Sequence, residues 1–141
     1  PVGRKGEIAT LHKLRELGIE AIDMNRDDPL SEYDILANGK RIEVKSSNLY
    51  DDKYYFSLSE QANREMKLSD TRIRLNNGRT KKVYSKTCDY LVFVGFNEDK
   101  LDFWIIPSKA LPIRLQGISL STTSKSKYSI YYNAWHLIKE G

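Results

Sequence analysis

With 141 residues, 40% of them hydrophobic, the chain has the length of one domain and enough apolar side chains to bury a core. A single cysteine excludes an internal disulfide framework and suits a reducing cytoplasm, and no apolar run is long enough to span a bilayer. The net charge of +4 is unevenly distributed, because residues 71–87 contain six basic and no acidic side chains. This asymmetry favours a polyanionic partner, most simply nucleic acid, over a merely solvated basic loop.

The first third of the chain predicts one helix, a short strand and an antiparallel hairpin. Apolar residues recur at helical spacing over residues 5–17, and Gly18 stands where a helix C-cap belongs. A short apolar run over residues 19–24 suits a strand. Further on, Asn38-Gly39 predicts a two-residue turn that joins two strands, residues 33–37 and 40–45.

The remaining sequence predicts a second helix, a basic segment and the strands of the sheet centre. Ser57 and Glu60 form a capping-box pattern for a helix up to about residue 68, after a short strand over 54–56. Residues 71–86 are typical of either a basic hairpin or a flexible arm. Apolar runs predict two buried neighbouring strands at residues 90–96 and 101–106. A short helix over residues 133–139 closes the pattern. We therefore expect an α/β fold in one domain over residues 1–141, a mixed sheet flanked by helices with a basic insertion near 70–87.

Two carboxylates and a lysine come together on the predicted hairpin. A two-residue turn pairs Asp34 with Glu43, and Lys45 falls on the same face because strand side chains alternate. Opposed carboxylates destabilise a strand pair unless a cation lies between them. Oxygen ligands suit Mg²⁺, and a nearby lysine can orient or deprotonate a water, which is a combination suited to phosphodiester hydrolysis. Glu7, at the margin of the apolar stripe of the first helix, is placed to approach them. Each feature alone is common on a solvated surface, and only the combination favours a site.

These residues resemble the PD-(D/E)xK nuclease superfamily, which has the restriction-endonuclease-like fold. The matching positions are Glu7 in GRKGEIATLHKL, Asp34 in EYDIL, and Glu43 with Lys45 in RIEVKSS. The segment YYFSLSEQ resembles the stretch of archaeal Holliday-junction resolvases and intron-encoded homing endonucleases in which a glutamine opens the second helix. That likeness adds Gln61 as a catalytic candidate and implies a bacterial, archaeal or phage origin.

The resemblance also implies a role for each residue of the set. Asp34 and Glu43 would bind metal together with the Val44 carbonyl, and Lys45 would position the attacking water. Glu7 would act directly on the metal or through a metal-bound water. The implied cofactor is Mg²⁺, for which Mn²⁺ substitutes, and we expect no organic cofactor.

DNA is the expected partner, and its candidate contacts lie mainly in the basic insertion. Arginines suit base reading and lysines suit phosphate contacts, and a serine-rich loop near residue 125 offers a second phosphate-binding segment. The candidates are Arg4, Lys5, Ser46, Arg72, Arg74, Arg79, Lys81, Lys82, Lys86, Lys125 and Lys127.

The sequence thus predicts a metal-dependent DNA endonuclease that cuts duplex DNA at specific sites, in the manner of restriction or homing enzymes. A homodimer is expected, because one site cuts one strand and a duplex has two. The alternatives are a Holliday-junction resolvase, a non-catalytic nucleic-acid-binding module on the same fold, and a structural subunit of a larger assembly.

Overall fold

The computed structural model of the protein describes residues 2–62 and 67–140, which fold around a central mixed sheet. The helices are α1 (Val2–Glu16), α2 (Met24–Asp27), α3 (Tyr84–Thr87) and α4 (His136–Lys139). The strands are β1 (Ala21–Asp23), β2 (Ile35–Ala37), β3 (Lys40–Asn48), β4 (Tyr54–Ser57), β5 (Arg72–Arg74), β6 (Thr80–Lys82), β7 (Tyr90–Asn97), β8 (Lys100–Pro107) and β9 (Gly117–Leu120). Two short 3₁₀ turns cover Ser108–Ala110 and Ser129–Tyr131. No helix within these two ranges is long and apolar enough to cross a membrane.

The central sheet has five strands in the order β1-β2-β3-β7-β8. Strand β3 is antiparallel to β2 and parallel to β7, and every other neighbouring pair in this sheet is antiparallel. The near-continuous apolar run of β7 is explained by its central position, since both of its faces are covered. The predicted α/β class with a mixed sheet flanked by helices is confirmed.

The hairpin formed by β2 and β3 has the register that its turn residues predict. Ala37 pairs with Lys40, and Ile35 pairs with Ile42. Asn38 and Gly39 both adopt positive φ, 50° and 72°, as the tightest two-residue hairpin turn requires. The turn chemistry therefore determines which side chains of β3 face which layer.

Both faces of the sheet are buried, by different elements. Helices α1 and α4 cover one face, where Leu14, Ile42 and Ile138 are fully buried. A small second sheet of β4 and β9 covers the other, together with α3, and buries Phe56 and Trp104 there. Successive residues of β3 therefore face opposite layers, with Val44 under α1 and its neighbours Glu43 and Lys45 on the other side.

Helix α1 lies unusually close to β3. A Cβ atom added at Gly6 would lie 1.8 Å from Ser46 Oγ and 3.1 Å from Ser46 Cβ. The Ser46 hydroxyl oxygen is buried at this contact, without a hydrogen-bond partner among the described residues. Gly6 thus allows the close approach that fixes the height of the neighbouring Glu7 above the sheet.

The segment after β4 departs from the prediction. Residues 54–57 form a strand, but it pairs with β9 in the second sheet. Residues 58–62 and 67–68 are not helical, and residues 63–66 of the predicted helix lie outside the described part of the chain. The Ser57 hydroxyl donates to Ser59 O, and the Leu58 amide donates to Gln116 O. Pairing with a distant strand therefore overrides the local capping signal.

The basic segment is an ordered hairpin. Strands β5 and β6 pair with Arg72 opposite Lys82, around a turn that contains Gly78 at a φ of 86°. Leu75 in this hairpin is only 4% exposed. Of the two interpretations that the sequence allowed, the hairpin is correct and the flexible arm is wrong.

The hairpin of β2 and β3 is tied to the far end of the described chain. Asn38 Nδ2 donates to the carbonyl oxygens of Ile138 and Lys139, and the Lys40 ammonium group donates to those of Ile138 and Glu140. These bonds satisfy carbonyl groups at the C-terminal end of α4 that have no partner within the helix.

Asp102 in β8 is a buried carboxylate held by two tyrosines. The hydroxyl of Tyr54 donates to Asp102 Oδ2 at 2.7 Å, and that of Tyr132 donates to Oδ1 at 2.6 Å. Burial, together with this hydrogen bond and the charge of Asp102, raises the pKa of Tyr132 to about 12. The tyrosine protons therefore compensate for the burial of the carboxylate.

We expect Tyr132→Phe to reveal this network as a pH-dependent loss of stability. Because the folded pKa of about 12 exceeds the ordinary value of 10.0, the hydroxyl proton stabilises the fold below pH 10 and its contribution is lost as the pH rises through 12. Urea unfolding from pH 8 to 12 should show a stability gap between the native protein and Tyr132→Phe that closes over this window. Tyr50→Phe, at an 84% exposed position, is the control. A gap that stays constant to pH 12 would contradict the assignment.

Candidate active site

The candidate site lies just before the first residue of β2, where β3 continues without a β2 partner. The Asp34 amide donates to the Ile42 carbonyl at 2.9 Å, so the chain leaves the regular ladder one residue before β2. Asp34 Oδ2 then accepts a hydrogen bond from the Val44 amide at 2.8 Å, in the position that a further strand residue would have filled. In a β-strand the amide and the carbonyl of one residue point toward the same neighbouring strand. Because the Val44 amide points into this gap, the Val44 carbonyl does so too.

Glu43 is the buried carboxylate of the site, only 6% exposed. Its two oxygens are bound by two ammonium groups, Lys45 Nζ at 3.4 Å from Oε2 and Lys82 Nζ at 3.3 Å from Oε1. Burial and the nearby charge of Asp34 raise the pKa of Glu43, and the two lysines only partly oppose this shift. The site therefore holds a buried carboxylate whose charge is balanced by two ammonium groups.

Lys45 is held over the ring of Tyr84, with Nζ 5.3 Å from the ring centre. Burial lowers the pKa of Lys45, but the Glu43 carboxylate and the Tyr84 hydroxyl together raise it by more, so the net shift is upward. Lys45 is therefore a charged hydrogen-bond donor, suited to orienting a water and unsuited to removing its proton.

Glu7 reaches Asp34 through an amide that the sequence did not identify. Asn25 Nδ2 donates to Glu7 Oε1 at 2.9 Å and to Asp34 Oδ1 at 3.0 Å. Arg4 binds Glu7 Oε1 at 2.7 Å and also forms an ion pair with Asp23. Helix α1, the single turn α2 and the start of β2 are thus joined by one polar network.

The structure brings the two predicted carboxylates of the hairpin together, with one correction to their pairing. Asp34 and Glu43 are neighbours in space, but they are not a cross-strand pair, because the regular pairing ends at Ile35. Within residues 2–62 and 67–140, no three acidic, histidine or cysteine side chains are grouped closely enough to hold a metal ion. The Asn25 amide bridges Glu7 and Asp34, so the role of Glu7 toward a metal, direct or through a metal-bound water, stays a prediction.

The remaining donors fit a hard divalent cation. Two carboxylates, Asp34 and Glu43, and the Val44 carbonyl offer oxygen atoms only, which is the ligand type that Mg²⁺ prefers. Two like charges near one gap, one of them buried with a raised pKa, are the electrostatic situation that a bound cation relieves. Asp34, Glu43 and Val44 are therefore the residues that could hold the metal.

Gln61 lies apart from this group. It is exposed and lies outside regular secondary structure, and the helix predicted to begin there does not form over the described residues. No hydrogen bond within the described ranges joins it to the carboxylates, so its catalytic role stays a prediction.

Several candidate DNA contacts are engaged elsewhere in the fold. Lys81 is 2% exposed and donates to the carbonyls of Pro112 and Ile113, so its ammonium group is engaged inside the fold and its phosphate contact stays a prediction. The Ser46 hydroxyl oxygen is buried against α1 beside Gly6. Arg79 donates to both the hydroxyl and the carbonyl of Ser59. The side chains of Lys81 and Arg79 therefore bind other parts of the fold.

The other candidates differ in how accessible they are. Arg72 forms an ion pair with Glu60 at 3.1 Å, and Arg4 is bound to Glu7 and Asp23. The Lys86 ammonium group donates to the Asp70 carbonyl, and the residue is exposed. The exposed cations that remain suitable for DNA are Lys5, Arg74, Lys86, Lys125 and Lys127.

Two contributions to the site were missed by the sequence interpretation. The sequence predicts a loop at Asn25. This residue follows β1, and because β1 pairs with β2 in antiparallel fashion, it lies at the same end of the strand pair as Asp34. The sequence predicts a phosphate contact for Lys82, and the structure places this side chain on Glu43. Neither residue belongs to a motif, so only the sheet order could have identified the first, and no sequence signal identifies the second.

Comparison with known proteins finds a structural likeness but no match in sequence. No protein-family model matches the sequence, and no curated protein matches it. Among solved structures, this chain is similar to the bacterial homing endonuclease I-Ssp6803I, with a TM-score of 0.69 and 18% sequence identity, over 97% of this chain and 90% of that chain. At this identity the likeness shows the fold, a mixed sheet flanked by helices that the two proteins share.

Proposed function

We propose that this protein is a Mg²⁺-dependent DNA endonuclease of the PD-(D/E)xK superfamily, which hydrolyses phosphodiester bonds at specific sites in duplex DNA. The observation that carries the proposal is the meeting of Asp34, Glu43 and Lys45 at the start of β2. The structural likeness to a homing endonuclease and the exposed basic side chains support DNA as the substrate.

Each residue of the group has a chemical task in this reaction. A divalent cation held by Asp34, Glu43 and the Val44 carbonyl would stabilise negative charge on the phosphate oxygens. Lys45, kept charged by Glu43, would orient the attacking water through a hydrogen bond. Asn25 and Glu7 would hold Asp34 in its orientation.

A homodimer is the proposed working form. The described part of each chain offers one such group of carboxylates, and a double-strand cut requires two. Sedimentation with and without DNA, alongside the cleavage assay, tests this part of the proposal.

Cleavage of two labelled substrates tests the function directly. A long mixed-sequence duplex and a four-way junction are incubated with Mg²⁺, with Mn²⁺ and with EDTA. Discrete duplex fragments that vanish with EDTA are the expected result, and their ends identify the recognition site. Symmetric nicking confined to the junction would make the protein a resolvase, and binding without cutting in either metal would make it a non-catalytic module.

We expect Lys45→Ala to separate cutting from binding. Loss of the ammonium group that orients the water should reduce cleavage by about 10²-fold or more, and DNA affinity should hold because Lys45 is largely buried. Single-turnover cleavage and a mobility-shift assay measure the two effects. Equal losses in both assays would indicate a DNA contact or a folding defect.

We expect Asn25→Ala to weaken metal binding at the site by an indirect route. Without its amide, Glu7 and Asp34 lose their shared donor, so the Mg²⁺ concentration for half-maximal cleavage should rise about 10-fold. Asn97→Ala, which removes the same side-chain amide at the last residue of β7, is the matched control. An unchanged Mg²⁺ dependence would show that Asn25 does not position Asp34.

A further inference from the structure

The basic hairpin of β5 and β6 places a fixed cation on the candidate metal ligand. Lys82 Nζ lies 3.3 Å from Glu43 Oε1 and also donates to the Glu32 carbonyl at 2.8 Å. Its side chain is only 22% exposed. A lysine with two partners and little exposure is a built part of the site, unlike a solvated surface lysine.

The hairpin that carries Lys82 is itself anchored beside the site. Lys82 pairs with Arg72, which forms an ion pair with Glu60, and the Thr71 hydroxyl donates to Glu32 Oε1 at 3.2 Å. Glu32 precedes Asp34 by two residues, so the hairpin contacts the same segment that supplies the first carboxylate. The position of Lys82 therefore follows from several contacts on both sides of the gap.

Charge balance defines what this lysine replaces. The network has four carboxylates and three fixed cations, so its net charge is one negative charge. The carboxylates are Glu7, Asp23, Asp34 and Glu43, and the cations are Arg4, Lys45 and Lys82. One divalent ion converts this to one positive charge, which a single phosphodiester neutralises. A second divalent ion would leave two positive charges uncompensated in a poorly solvated site.

We propose that Lys82 is a resident cation of the site, which occupies the position on Glu43 that a second divalent ion would take, so that each chain binds one divalent ion. This inference rests on the proposed metal-dependent chemistry, and it adds that the basic hairpin completes the metal site as well as approaching DNA. Lys82 is thus a positioning residue for Glu43.

Mn²⁺ binding to the full chain without DNA tests the proposal. Electron paramagnetic resonance of free Mn²⁺ gives the number of ions bound per chain and their affinity. We expect one ion for the native protein and for Lys82→Arg, which keeps the charge. For Lys82→Met we expect a second bound ion or an affinity at least about tenfold higher, because Glu43 Oε1 loses its ammonium partner and Oε2 keeps only Lys45.

Lys86→Met is the matched control, since it removes the same charge from the segment that follows β6, where Lys86 contacts the Asp70 carbonyl and not Glu43. It should bind Mn²⁺ as the native protein does. Two ions per native chain, no Mn²⁺ binding at all, or identical binding by Lys82→Met and the native protein would each overturn the proposal. Even if Lys82→Met fails to fold, two Mn²⁺ ions bound per native chain would still refute the proposal. Cleavage assays are separate, so one bound ion without cutting would refute the endonuclease function and leave the role of Lys82 standing.

Discussion

Replacement of Glu43 by glutamine is expected to lower DNA cleavage by about 10³-fold while DNA affinity stays within about twofold. The amide has nearly the shape of the carboxylate, so packing on this buried side chain is preserved. What is lost is the negative charge that would bind the divalent ion and that now holds the ammonium groups of Lys45 and Lys82. Single-turnover cleavage in Mg²⁺ measures the chemical step, and mobility shift in Ca²⁺ measures binding.

The control for this variant is Glu20→Gln, which removes one carboxylate charge at an exposed position. Its cleavage should match that of the native protein. If Glu43→Gln cuts DNA at the native rate, Glu43 is not a metal ligand, and the site would have to be sought around other residues.

Replacement of Gly95 by alanine is expected to lower the free energy of unfolding by about 1–3 kcal/mol, although alanine is otherwise favoured over glycine in a strand. A Cβ atom at this position would lie 2.6–2.7 Å from three ring atoms of Tyr54. The ring cannot swing away, because Tyr54 is 1% exposed and its hydroxyl donates to Asp102. The strain must therefore move β4 or break the buried hydrogen bond.

Two other glycines make this prediction specific. At Gly117 an added Cβ would lie 2.0 Å from the hydroxyl oxygen of Tyr55, but Tyr55 is 60% exposed and can rotate into solvent, so Gly117→Ala should cost less. Gly3→Ala meets no atom within 4 Å and should be neutral or stabilising. Urea unfolding gives all three values. Combining Gly95→Ala with Tyr54→Leu should cost less than the sum of the single changes, and strict additivity would show that the contact with Tyr54 is not the cause.

The fold was predictable from the sequence where local chemistry decides it. Asn38-Gly39 determines the register of β2 and β3, because few residues tolerate positive φ at both turn positions. That register placed Glu43 and Lys45 on one face correctly. It failed at Asp34, where the chain leaves the ladder to accept a bond from the Val44 amide, since no sequence pattern marks the end of pairing.

Distant contacts explain what the sequence did not predict. Ser57 and Glu60 form a good capping box, yet the segment is extended because β4 pairs with β9, a strand from the last third of the chain. Lys81 and Lys82 are adjacent and alike in sequence. Strand alternation sends Lys81 to two carbonyls in the interior and Lys82 to Glu43, and this difference depends on how the hairpin docks.

The bonds from Asn38 and Lys40 to the carbonyls of α4 have a consequence for how the protein folds. They join residues about one hundred positions apart, and Ile138 packs fully buried in the same core as Ile35 and Ile42. A fragment that ends before Ala134 would contain every candidate site residue but not the surface on which their hairpin rests. Closing so long a loop costs conformational entropy before these contacts form, so we expect slow folding. Cleavage activity should be regained late, together with the burial of Trp135.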